Sequence, residues 1–218
     1  MTIPEKPLLI IVAGPNGAGK STLSRGLSDK RSVVFDPDKE SQKIHDKYPT
    51  LPAESIHYFI NNNFQDQATA AIKARNDFTL ETNFRDYQIM DIVDQFKNQG
   101  YQTCLIYFLL NSELESIDRV ATRVKKGGHH VDNSSVRLNY TEGLENLKYF
   151  ASRFDKVLVL NASGRTGDLD PLLNLEANKI KFVANDIPNW AEPVIQPLMA
   201  GLLSNPEKHN DPPTGLDR

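Results

Sequence analysis

Cysteine is almost absent: a single residue, Cys104, stands in an apolar stretch of the 218-residue chain. One thiol excludes a disulfide framework and suits a reducing, cytoplasmic setting, where Cys104 reads as a small buried hydrophobe. Long hydrophobic runs are missing too. None approaches the ~20 residues of a transmembrane helix, so no membrane partner is expected. The short run Pro7–Val12 after Lys6 passes straight into a glycine-rich segment with no cleavage-like site, and reads as a buried strand rather than an export signal. Nor does charge of one sign dominate. Lys and Arg total 25 against 28 Asp and Glu, a net charge of −3 that gives no global attraction to nucleic acid. A nucleic-acid partner is therefore not expected, because it would need a local basic patch. No internal repeat, no L-S-G-G-Q signature, no apolar strand ending in Asp-Glu and no N-K-x-D guanine reader is present. These absences set aside transport-type ATPase modules and GTPase switches.

What is present is specific. Residues Gly14-Pro15-Asn16-Gly17-Ala18-Gly19-Lys20-Ser21-Thr22 contain G-x-x-x-x-G-K-[ST], between the apolar run Leu8–Ala13 and a helix-like segment. Strand, glycine turn and helix start are the context in which this string cradles phosphates on backbone N–H groups. Lys20 is expected to reach the β- and γ-phosphates of ATP, and the Ser21 hydroxyl to ligate Mg²⁺.

Five apolar runs alternate with helix-like segments: 8–13, 32–35, 78–81, 103–110 and 156–161. This predicts an α/β P-loop fold, a doubly wound, mainly parallel five-stranded sheet with helices on both faces. Helices are expected near 20–29, 38–47, 54–75, 86–99, 112–125 and 134–151, with a further strand at Lys179–Val183 and a helix around Trp190–Leu203. The Gly-broken segment Lys125–Asn133 reads as a mobile cationic loop. A single domain is expected over 1–203, and the Pro-, Asn- and Asp-rich composition of 204–218 reads as a disordered tail.

Three clusters carry candidate chemistry. Asp36-Pro37-Asp38 follows the second strand, at the sheet edge beside the phosphate loop. There Asp38 is either the base that accepts a proton from a phosphoryl acceptor or the N-cap of the next helix. Glu81 ends the third strand, where a carboxylate suits Mg²⁺ or an acceptor hydroxyl. Arg85 suits a second anionic group on the acceptor, or else pairs structurally with Glu81. Arg119, Arg123, Lys125, Lys126, His129, His130 and Arg137 gather positive charge either for a transferring phosphoryl group or as a solvated face.

Three further segments bring a family into view. Val34-Phe-Asp-Pro-Asp-Lys-Glu-Ser-Gln-Lys-Ile-His-Asp-Lys-Tyr-Pro49, Leu80-Glu-Thr-Asn-Phe-Arg85 and Arg119-Val-Ala-Thr-Arg-Val-Lys-Lys-Gly-Gly-His-His-Val131 resemble the I-D-x-D, I-E-G-T-x-R and R-V-x-x-R-V-x-x-G-G-H-x-V segments of zeta-toxin P-loop kinases. The likeness runs from about Leu8 to Phe150 and is strongest to the short bacterial branch of zeta-like ATPases. It implies phosphorylation of a UDP-amino sugar such as UDP-N-acetylglucosamine, and a possible small helical antitoxin as partner. By the same likeness Asp38 matches the general base and Arg123 the first of two loop arginines, with Arg137 the nearest counterpart of the second. Asp36, Glu81, Asn83 and Arg85 form the implied acceptor-binding set. Asn83 departs from the family, which carries threonine there, and this leaves another sugar or nucleotide open as acceptor; a nucleic-acid end, bound by the Arg119–Arg137 cluster, is the further alternative.

Overall fold

A computed structural model describes residues 6–27, 32–128, 130–164 and 167–201. The expected tail at 204–218 lies outside these residues. Strands β1 (Leu8–Ala13), β2 (Ser32–Phe35), β3 (Asp77–Thr82), β4 (Gln102–Leu109) and β5 (Lys156–Asn161) pair in parallel, in the order β2-β3-β1-β4-β5. β1 sits at the centre, and its side chains divide between two cores. Leu9, Ile11 and Ala13 join the larger one with Phe78, Phe96 and Leu147, while Val12 joins the smaller one with Ala18 and Phe108. Two-sided burial is why this segment is continuously apolar instead of alternating.

Helices cover both faces: α1 (Lys20–Leu27), α2 (Pro37–Lys47), α3 (Ala53–Ala74), α4 (Ile89–Asn98), α5 (Glu113–Lys125), α6 (Asn133–Phe150) and α7 (Glu192–Gly201). Among the described residues no helix is long and apolar enough to cross a membrane.

The sheet continues past the five parallel strands. β6 (Asp170–Glu176) pairs antiparallel with β5, and β7 (Lys179–Val183) antiparallel with β6. β7 lies where an additional strand is expected; β6 has no counterpart in the sequence reading. Pro171 inside the run argues against a strand, yet here it sits at the strand's start, beside a register shift in the β5–β6 pairing. The hairpin turns through Ala177 and Asn178, both with positive φ, as a two-residue loop that matches strand twist requires.

Register places the functional segments. Ala13 lies beside Thr82 on one side and Tyr107 on the other, and Phe35 beside Leu80. The C-terminal ends of β1, β2 and β3 therefore bring Gly14, Asp36 and Asn83 to one edge of the sheet, where open α/β folds bind ligands.

Candidate active site

A cleft of about 1200 Å³ opens along that edge, lined by the phosphate loop, the start of α2, the segment after β3 and the inner side of α5. Gly14 and Gly17 of the loop are demanded by conformation and space together, Gly19, at φ +91°, by conformation alone. Gly14 has φ +137°, and a Cβ there would lie 2.6 Å from the carbonyl oxygen of Phe108. Gly17, at φ +77°, would put a Cβ 2.7 Å from the Cβ of Arg119. Only glycine lets the loop lie this close to β4 and α5.

Lys20, the first residue of α1, folds back over the loop. Its Nζ donates to the carbonyls of Gly14 at 2.6 Å and Pro15 at 3.0 Å, and to Asn83 Oδ1 at 3.0 Å. Burial pushes the ammonium down to about 8, and Arg123 acts in the same direction, while Asp38, Glu81 and Asp36 oppose it. The phosphate loop, the end of β3 and the start of α2 thus meet electrostatically at one amine.

The carboxylates divide their work. Asp36, not Asp38, caps α2: its Oδ1 accepts from the backbone N–H of Asp38 at 3.1 Å and Lys39 at 3.3 Å. Pro37 occupies the first helical turn, where its missing N–H costs nothing. Asp38 lies in that first turn, exposed and on the cleft wall. Glu81 is almost wholly buried, and its Oε2 accepts from Ser21 Oγ at 2.7 Å; Ser21 also lies 3.4 Å from Asp36 Oδ2. Hydroxyl and paired carboxylates form an all-oxygen donor set, the chemistry that Mg²⁺ prefers.

The segment after β3 holds Asn83 and Arg85 through a buried anchor. Phe84 is fully buried with φ +59°, an uncommon conformation for a bulky residue, and its N–H donates to Thr82 Oγ1 at 2.9 Å. From α6, buried Asn146 donates to the carbonyls of Phe84 at 2.9 Å and Arg85 at 2.7 Å. Arg85 lines the cleft, with its Nε 2.7 Å from Glu142 and not on Glu81.

On the opposite wall, Arg119 and Arg123 of α5 line the cleft, Arg119 held by Glu115 at 2.7 Å. Gly128 lies against Arg123, where a Cβ would fall 2.5 Å from the arginine Cγ. Arg137 is not among the cleft-lining residues and pairs with Glu113. His129 lies outside the described residues.

Lys39, Ser116, Asn139 and Asn146 contribute to the site without any signal in the sequence. Lys39 reaches both Asp36 and Glu81. Asn16 of the phosphate loop is fixed twice, its carbonyl accepting from Ser116 Oγ at 2.6 Å and its Oδ1 from Asn139 Nδ2 at 2.8 Å. Asn139 and Asn146 lie seven residues apart on α6, a helical spacing that a motif search passes over but that puts two buried amides on one helix side.

A phosphate loop after the central strand, with carboxylates on the neighbouring strand ends, defines a P-loop nucleotide-binding protein. Residues 1–170 match the model of the Zeta toxin family, and the chain belongs to that family of P-loop kinases. An uncharacterized protein of Haemophilus influenzae is 28% identical over 138 residues, covering 60% of this chain and 91% of the other. A structure from work on the PezAT chromosomal toxin-antitoxin system of Streptococcus pneumoniae superposes with a TM-score of 0.60 at 16% identity, over 92% of this chain and 89% of that one. A structure of AvrRxo1-ORF1:-ORF2 with ATP gives a TM-score of 0.63 at 13% identity, over 96% and 67%. At such identities the structural likenesses establish the fold.

Proposed function

We propose that this kinase transfers the γ-phosphoryl group of ATP to a hydroxyl of a UDP-activated amino sugar such as UDP-N-acetylglucosamine. The observation that carries the reading is the division of labour at the start of α2. Asp36 supplies the cap, so the exposed Asp38 carboxylate is left facing the cleft, close enough to Lys20 to help hold its charge. A carboxylate beside the amine that grips the γ-phosphate stands where an acceptor hydroxyl must lose its proton.

In this mechanism the backbone of residues 14–22 binds the phosphates, aided by the positive end of α1. Lys20 turns its donors from the Gly14 and Pro15 carbonyls to the phosphate oxygens. Ser21, with Asp36 and Glu81 behind it, would hold Mg²⁺. When bound, the ion neutralises charge on the β- and γ-phosphates. Arg85 and Asn83 orient the acceptor, Arg85 gripping its diphosphate in place of Glu142. Asp38 accepts the hydroxyl proton as the oxygen bonds to the γ-phosphorus and the bond to the ADP oxygen breaks. Arg123, on the α5 wall, stabilises the charge on the equatorial oxygens.

Family membership supports a small helical antitoxin as partner, as does the toxin-antitoxin origin of the pneumococcal neighbour. A cytoplasmic location follows from an ATP-dependent reaction on a nucleotide sugar. The direct test is acceptor-stimulated ATP consumption by the purified chain with Mg²⁺. UDP-N-acetylglucosamine should raise turnover well above slow basal hydrolysis, because a bound hydroxyl replaces water as nucleophile. Turnover at baseline with every UDP-amino sugar would contradict the assignment.

A further inference from the structure

We propose that Lys39 is a tethered stand-in cation: its ammonium offsets part of the negative charge of the Asp36–Glu81 carboxylate pair until a divalent cation arriving with the nucleotide displaces it. The inference rests on the kinase reading above and concerns how the metal subsite is held.

The contacts are unusually complete. Lys39 Nζ lies 2.7 Å from Asp36 Oδ2 and 3.4 Å from Glu81 Oε1. The other oxygen of each carboxylate is engaged elsewhere, Asp36 Oδ1 by the cap N–H groups and Glu81 Oε2 by Ser21 Oγ. The ammonium therefore contacts the same oxygen cluster that suits Mg²⁺. The Lys20 ammonium, at the phosphate loop, is directed to Gly14, Pro15 and Asn83 instead. Without Lys39, two buried carboxylates would meet at one hydroxyl with no ammonium of the described residues on their oxygens, an arrangement burial makes costly.

The same contacts are built to open. Side-chain exposure of Lys39 is 47%, against 10% for Asp36 and 4% for Glu81, so water reaches the lysine far more than the carboxylates. Its four-carbon stem and compact charge allow it to swing into solvent, where hydration offsets the lost pairs. An ammonium held on these oxygens repels a dication bound to the same carboxylates. Divalent-cation binding must then break the Lys39 pairs, and Lys39 weakens metal-loaded nucleotide relative to metal-free nucleotide.

The test is calorimetric titration of the full chain with a non-hydrolysable ATP analogue, once with Mg²⁺ and once with chelator. In Lys39→Met the ratio of metal-loaded to metal-free affinity should rise by about tenfold or more, the coupling expected of a close charge pair. Lys39→Arg, which keeps the charge, should stay near the wild-type ratio. A merely structural clamp would lower both affinities together, and an unchanged or smaller ratio in Lys39→Met overturns the proposal. Should Lys39→Met fail to fold, the wild type provides the same test by amine acetylation read by mass spectrometry. Lys39 labelling should increase with the Mg²⁺-loaded analogue and not with the metal-free one; equal labelling overturns the exchange. If wild type binds the analogue in neither form, the kinase reading falls and this inference with it. Binding with an unchanged ratio removes only the role of Lys39.

Discussion

The Lys20 ammonium, held down to about 8 by burial, makes nucleotide binding sensitive to pH in a defined direction. Phosphate oxygens favour the charged amine, so the complex keeps a proton that the free protein loses above that value. Binding should take up a proton above pH 8, and affinity should fall by up to about tenfold for each further pH unit. Calorimetry in buffers of different ionisation enthalpy measures the uptake directly; binding without it at pH 9 would contradict the assignment of Lys20 to the phosphates. The two arginines implied by the family likeness differ in place and should differ in effect. Arg123 lines the cleft, so Arg123→Ala should lower kcat more than it raises the KM for ATP, the mark of an interaction strengthened in the transition state. Arg137 is paired with Glu113 at the surface, and Arg137→Ala should leave steady-state kinetics unchanged while shifting stability by about 1 kcal/mol or less.

At the scale of elements, α6 braces the segment that follows β3, where the proposed acceptor contacts Asn83 and Arg85 lie. Asn146 bonds two of that segment's carbonyls, and Gly143 packs directly against it: a Cβ there would lie 2.5 Å from the Asn83 oxygen and 3.0 Å from the Tyr107 hydroxyl. In a free helix, alanine for glycine stabilises by about 1 kcal/mol. Here Gly143→Ala should instead destabilise by about 1–3 kcal/mol through overpacking, and raise the acceptor KM, as denaturant melts and kinetics with a saturating nucleotide will reveal. This brace was invisible in the sequence, because Gly143 and Asn146 become meaningful only once β3 is known to end beside α6. The elements themselves were legible. Five two-sided apolar runs announced the parallel strands, and the phosphate loop fixed which strand is central to the site. β6 was hidden by Pro171 and by an antiparallel pairing that needs no continuous apolar run. The cap was readable but left open: Pro37 directly after Asp36 is the signal that Asp36 caps and Asp38 does not. Lys39 directly follows Asp36-Pro37-Asp38 but is not one of its motif positions, and nothing short of the fold brings it onto Glu81, forty-two residues away.

On the scale of the whole molecule, one cleft joins the α1 start, the β3 end and the α5 wall, so nucleotide binding should stabilise the fold as a unit. A nucleotide at about a hundred times its Kd adds about 2.7 kcal/mol, a Tm rise of several degrees in thermal unfolding. Lys20→Ala should lose most of that rise. The central claim is phosphoryl transfer to a nucleotide-sugar hydroxyl with Asp38 as base. Its most direct measurement is mass spectrometry of UDP-N-acetylglucosamine after incubation with Mg-ATP and either wild type or Asp38→Asn. The wild type should yield a sugar nucleotide carrying one added phosphoryl group. In Asp38→Asn its formation should be slowed by about 10²–10⁴-fold with ATP affinity retained. No phosphorylated sugar from the wild type, or equal rates from a well-folded Asp38→Asn protein, would contradict it.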